Sequence, residues 1–112
     1  MATATFVQEG YESIDYTPAS AVTAGDVIVQ GDLVGIASLD IAANVAGVLS
    51  VRGVWDFAKA TGSSSAITAG SKIYWDAVNE VATATAGGNK QIGKCILAAT
   101  DDDTTVRVYV SQ

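Results

Sequence analysis

Apolar residues along the chain alternate with polar ones or sit in short runs between glycines, and no long stretch repeats them at i, i+3, i+4 and i+7. Period two is the signature of strands. The clearest case runs from Val45 to Phe57. Its odd positions are Val45, Gly47, Leu49, Val51, Gly53, Trp55 and Phe57, an apolar face with two glycines, and its even positions are mixed. A flat strand of that length would reach about 40 Å, well past the usual limit. It is expected to bend at Gly47 or Gly53 and to pass through two halves of a small barrel.

Shorter strands follow the same rule. In Thr104-Thr-Val-Arg-Val-Tyr-Val110, Val106, Val108 and Val110 face one way and Arg107 and Tyr109 the other. This segment pairs naturally with residues 91–99, with Asp101, Asp102 and Asp103 at the tip between them, a solvated turn that discourages edge-to-edge association. Lys72–Asp76 and Glu80–Thr83 flank a hairpin at Ala77-Val78-Asn79. Val27–Val29 and Leu33–Ala37 flank another at Gln30-Gly31-Asp32, and Ser13–Tyr16 is a short strand before Pro18. The one helical candidate, Leu39–Ala46 with Asp40 as N-cap, is closed by Gly47 after under two turns, so a loop or single turn is expected. The fold class is therefore all-β, a small barrel or sandwich of short antiparallel strands with one long bent strand. Residues 1–12 form an arm or first strand, and 13–112 a single β domain.

One echo runs through the chain. Ala21-Val-Thr-Ala-Gly-Asp-Val-Ile28 resembles Ala66-Ile-Thr-Ala-Gly-Ser-Lys-Ile73, 45 residues further on. Either a unit is duplicated, or the same turn chemistry is used twice, since only the turn recurs.

Composition then narrows the function classes. With 112 residues there is room for one domain. There is no histidine and one cysteine, Cys95, which excludes an internal disulfide, the usual Cys/His zinc sites and any histidine base, and leaves Cys95 as a core thiol. The net charge is -6, and the six basic residues are dispersed along the chain, which argues against a nucleic-acid partner. No segment reads as a signal peptide or a membrane span, so synthesis in a reducing cytoplasm is expected. Hydrophobic residues at 49 % exclude a disordered chain.

Candidate chemistry is sparse. Gly62–Lys72 lacks the Gly-Lys order and the following helix of a phosphate loop. Three consecutive aspartates in an extended chain do not converge on one calcium ion. An acid/base pair among the other carboxylates would need a cleft that so small a domain seldom forms. No catalytic residue, cofactor or metal is expected. Among the aromatics, Trp55 and Trp75 share parity with apolar neighbours and are expected in the core, whereas Tyr74, beside Lys72 on the other parity, is the surface candidate.

Several short motifs, in order, carry a resemblance. They are Phe6-Val-Gln-Glu-Gly10, Val22-Thr-Ala-Gly-Asp-Val-Ile28, Gly31-Asp-Leu-Val-Gly-Ile-Ala37 and Val51-Arg-Gly-Val-Trp55, followed by Gly70-Ser-Lys-Ile-Tyr-Trp-Asp76, Ile92-Gly-Lys-Cys-Ile96 and Val106-Arg-Val108. Over nearly its whole length the chain resembles a family of small proteins encoded among phage head genes and often labelled phage recombinase. That label fails physically, because a strand-exchange ATPase needs a phosphate loop and a basic DNA channel. The resemblance implies a capsid decoration, or cement, protein, similar in role to the head-decoration protein of phage lambda. It further implies a homotrimer on the outer capsid surface of a virion, with the major capsid protein as partner and neither nucleic acid nor membrane. Thr5, Phe6, Val7, Gln8 and Tyr74 are the expected contacts with the capsid or a neighbouring subunit. A host-surface or carbohydrate-binding module displayed on the head is the alternative, with Tyr74 as the first sugar-stacking candidate.

Overall fold

A computed structural model describes residues 13–112. They form nine strands: β1 Ser13–Tyr16, β2 Val27–Gln30, β3 Leu33–Ala37, β4 Gly47–Ser50, β5 Gly53–Ala58, β6 Lys72–Asp76, β7 Val81–Thr83, β8 Lys90–Leu97 and β9 Thr105–Val110. There is no helix among the described residues. The strands make two antiparallel sheets, ordered β1-β4-β3-β2 and β5-β9-β8-β6-β7. The second sheet curls until its end strands meet at one bridge, Lys59 with Ala82. It does not close into a barrel, and the molecule is sandwich-like.

The long period-two run is split between the sheets as β4 and β5. The break falls at Val51 and Arg52, and Gly53 takes φ +115°, a conformation that side chains with a Cβ rarely adopt. Gly47 serves a different purpose: a Cβ there would come within 2.8 Å of the Ile41 side chain. Residues 39–46 form no helix. Ile41 bridges Val22, and Asn44 turns the chain at φ 62°. Asp40 caps no helix, and its Oδ1 instead accepts the Ala24 N–H at 2.8 Å.

The structure resolves the echo in favour of a repeated unit. In the first copy Val22 bridges Ile41, the Gly25 N–H donates to Ala37 O, and the Ala37 N–H donates to Asp26 O. In the second Ile67 bridges Ala99, the Gly70 N–H donates to Cys95 O, and the Cys95 N–H donates to Ser71 O. Each turn leads into a strand paired in the same register: Val27 opposite Ile36 and Ile28 opposite Gly35, then Lys72 opposite Lys94 and Ile73 opposite Gly93. The match extends to the flanking strands. Ile14 opposes Leu49 as Trp55 opposes Val108, and Ala37 opposes Leu49 as Cys95 opposes Val108. Strand order β1-β4-β3-β2 is thus β5-β9-β8-β6 again, and the second unit differs by adding β7 beyond β6.

The cores repeat with the strands. The smaller cluster is Val22, Ala37, Ile41 and Leu49, with Ile14, Tyr16 and Ile28 against it. Its equivalents Ile67, Cys95, Ala99, Val108, Trp55, Phe57 and Ile73 all belong to the larger cluster or pack on it. The larger cluster also takes Val34 and Ile36 from β3, so the first sheet packs one face on the second unit while the other face covers its own core. Trp75 and Phe57 lie within it with centroids 6.0 Å apart in a tilted pair. Each such side chain contributes about 1.5–3 kcal/mol when fully buried. Trp75 is in the core as its parity predicts, while Trp55 is only partly buried at the edge of the core.

Candidate functional site

Strand register brings together residues that lie far apart in the chain. On the outer face of the second sheet, Val54 of β5 opposes Tyr109 of β9, Asp56 opposes Arg107, Tyr109 opposes Lys94 of β8, and Lys94 opposes Lys72 of β6. Arg52 reaches the same face, its Nε donating to Tyr109 Oη at 3.2 Å. Four of the six basic residues therefore share one face, so their dispersal in sequence does not survive folding. Of the other two, Lys90 pairs with Asp32 at 2.6 Å and Lys59 is buried. Exposed Val54, Leu97 and Tyr109 give the face an apolar component. Two like charges directly opposite each other are unfavourable in a sheet, and Lys72 and Lys94 are arranged in that way.

The repeat says what this face is in structural terms. The first-unit equivalents of Lys72 and Lys94 are Val27 and Ile36, which pack on the larger core. One face position is thus apolar and covered by the next unit in the first copy, and cationic and open in the second.

A groove of about 540 Å³ lies between the units. Val27, Ile28 and Val29 of β2 form one wall and Trp55, Asp56 and Phe57 of β5 the other, with Asp26 and Glu80 at its rim. Tyr74 is half-buried and lines a separate dent with Asp32, Lys90 and Gln112. Thr5, Phe6, Val7 and Gln8 lie outside the described residues.

The other singled-out residues have structural work. Asp101 is not a solvated tip: its Oδ1 accepts the N–H groups of Ser65 at 3.0 Å and Ala66 at 2.8 Å. The 62–72 loop thus has these amides engaged by a carboxylate of the chain rather than open to a phosphate. Beside it the Lys59 ammonium donates to the carbonyls of Ala60 at 2.8 Å and Asp103 at 3.2 Å. Cys95 is buried, and its thiol donates to Leu97 O.

Among the described residues, three carboxyls depart from ordinary values, all downward. The hydrogen bond from Arg107 lowers Asp56, that from Lys90 lowers Asp32, and that from the Asn79 side chain lowers Asp76. A general acid requires a carboxyl held upward. These three are pinned as anions by neighbours, an arrangement suited to fixing strands and turns.

The match to known families decides the assignment. Residues 7–110 fit the family described as phage cement protein. The chain belongs to the phage cement protein family. Comparison with curated proteins and with solved structures yields no match. As a cement protein it is a structural component that decorates a phage capsid. The site is then a surface to be read for contacts, and the cationic outer face of the second sheet is the feature sequence reasoning missed. The alternation of Arg107 and Tyr109 with buried valines placed each on an outer face, but which strands lie side by side is set by register, which a single sequence leaves open.

Proposed function

We propose that the protein sits on the outer capsid surface of the virion as a homotrimer bound to the major capsid protein, with no catalytic role. The docking face is the outer face of the second sheet, with Lys72, Lys94 and Tyr109 at its centre. Thr5, Phe6, Val7, Gln8 and Tyr74 add contacts to the capsid or a neighbouring subunit. The observation that carries this reading is the conversion of Val27 and Ile36, covered in the first unit, into exposed Lys72 and Lys94 in the second. Such a face, mixing cations with Val54, Leu97 and Tyr109, suits an acidic protein surface, with charge setting encounter and register. A net charge of -6 opposes nucleic acid as the partner. Many weak contacts repeated over a shell supply avidity.

The test is addition to undecorated heads. The protein is expected to bind them and raise their disruption temperature. The double substitution Lys72→Glu with Lys94→Glu is expected to weaken binding at least about tenfold, a loss of roughly 1.4 kcal/mol, with an unchanged melting temperature. Heads that neither bind nor gain stability would overturn the reading. A host-glycan role predicts instead that an oligosaccharide panel gives hits that perturb tryptophan fluorescence.

A further inference from the structure

The repeat contains one asymmetry. In the second unit β7 runs antiparallel along the outer edge of β6. In the first unit the equivalent strand, β2, turns into β3 at Gly31 and Asp32, and among the described residues no strand lies on its outer edge. An open edge presents unpaired N–H and C=O groups and recruits extended chain. The groove described above runs beside that edge, and its far wall is β5, the terminal strand of the other sheet.

Two of the three residues of the covering strand, Ala82 and Thr83, recur with the two that follow them at the start of the chain. From β7 onward the chain reads Val81-Ala-Thr-Ala-Thr85, and its first residues read Met1-Ala-Thr-Ala-Thr5. Ala-Thr-Ala-Thr occurs at these two places in the chain and at no other. No side chain before Glu9 is charged, so none adds to the repulsion of Asp26 and Glu80 at the groove's rim.

We propose that Ala2–Thr5 of a second copy of this chain occupies the β2 edge and its groove, added antiparallel as β7 is added to β6. Strand direction argues for a second copy. Across β1-β4-β3-β2 every pairing is antiparallel, so a strand antiparallel to β2 runs parallel to β1. A parallel crossover needs about a dozen residues or more, and only Phe6–Glu12, seven residues, separate Thr5 from Ser13. The donor segment precedes β1 in the chain and the acceptor is β2, and these two strands are the opposite edges of one sheet. Exchange therefore links copies head to tail, a contact that forms a closed ring where the rotation between copies closes and a filament where it does not. The inference deepens the trimeric decoration reading and rests on it for its biological purpose, but the exchange is measurable without a capsid.

The full-length protein is expected to sediment as an oligomer at low micromolar concentration. The double substitution Thr3→Pro with Thr5→Pro, which removes two strand N–H donors, is expected to sediment at one chain's 11.4 kDa with its melting transition retained. As a second measurement, Thr3→Cys with Val29→Cys is expected to give disulfide-linked multimers on a non-reducing gel. An unchanged mass for the proline variant overturns the proposal, as does a link formed within one chain or a wild type that stays monomeric. Oligosaccharide binding in the groove of the intact oligomer would also overturn it. Failure to bind undecorated heads, with exchange intact, would overturn the decoration reading alone.

Discussion

Gly93 sits where the strands leave no room for a side chain. A Cβ there would overlap the Tyr109 carbonyl and lie 3.0 Å from Val110 Cα, both backbone atoms of β9. Its equivalent in the first unit, Gly35, faces Leu49, whose Cβ would be 2.8 Å away and Cδ1 3.0 Å away. The same glycine is thus required twice, but the obstacle differs. Leu49 Cβ stays in place when χ1 rotates, so β4 must give by a few tenths of an ångström at Gly35, whereas at Gly93 the added carbon would coincide with a carbonyl of the paired strand. Gly93→Ala is expected to destabilise by ~3 kcal/mol or more and Gly35→Ala by about 1–3 kcal/mol, read as shifts in the urea midpoint. Equal effects would mean that Leu49 is held as rigidly as the β9 backbone.

At the scale of elements, the loops are tied by side chains that the sequence presents as ordinary polar residues. Asp101 joins the β8–β9 connection to residues 65 and 66, and Lys59 joins the end of β5 to the same region. Asp101→Ala leaves the Ala66 N–H without its acceptor and the Ser65 N–H with only its longer bond to Gly62 O, and is expected to cost about 1–3 kcal/mol. Asp102→Ala, at an exposed neighbour, is expected to change the melting temperature within error. Strands were legible because burial alternates: β9 reads exposed, buried, exposed along its length, as its valines predict. Hairpins at Gly31 and at 77–79 were legible from turn residues, although Glu80 belongs to the second turn, with φ 55°, and not to β7. The assembly of Lys72, Lys94, Arg107 and Tyr109 was not, because it depends on non-local register. Nor was the repeat of strand pairings around the two Thr-Ala-Gly turns. Their likeness was visible, but the shared partners Ala37 and Cys95 lie on strands whose sequences have diverged.

At the scale of the whole molecule, two polar ties reinforce the packing of β3 on the larger core. Asp32 pairs with Lys90, and the Gln112 amide engages both backbone groups of Val34, accepting its N–H at 2.7 Å and donating to its carbonyl. The charged ties set the response to pH. The carboxyls of Asp32, Asp56 and Asp76 have folded-state values below their unfolded ones, so their contribution is full above the unfolded value and is lost as pH falls through the folded value. Stability is expected to be flat from pH 5 to 8 and to decline below about pH 4, followed by thermal melts. With no histidine in the chain, a step between pH 6 and 7 would contradict this assignment. Because Asp32 and Asp56 are exposed, added salt is expected to shrink the contribution of their ion pairs.

The repeated unit also bears on how the chain avoids tangling as it folds. Two units with one strand order offer each strand a wrong partner as well as a right one, the usual route to trapped intermediates in repeat proteins. Here the equivalent core positions carry side chains of different bulk: Ile14 against Trp55, Ala37 against Cys95, Ile41 against Ala99 and Leu49 against Val108. A strand that swapped units would leave a void in one core and overfill the other, each at a cost. The divergence that hides the duplication from the eye is therefore what lets each strand distinguish its own sheet from the copy beside it.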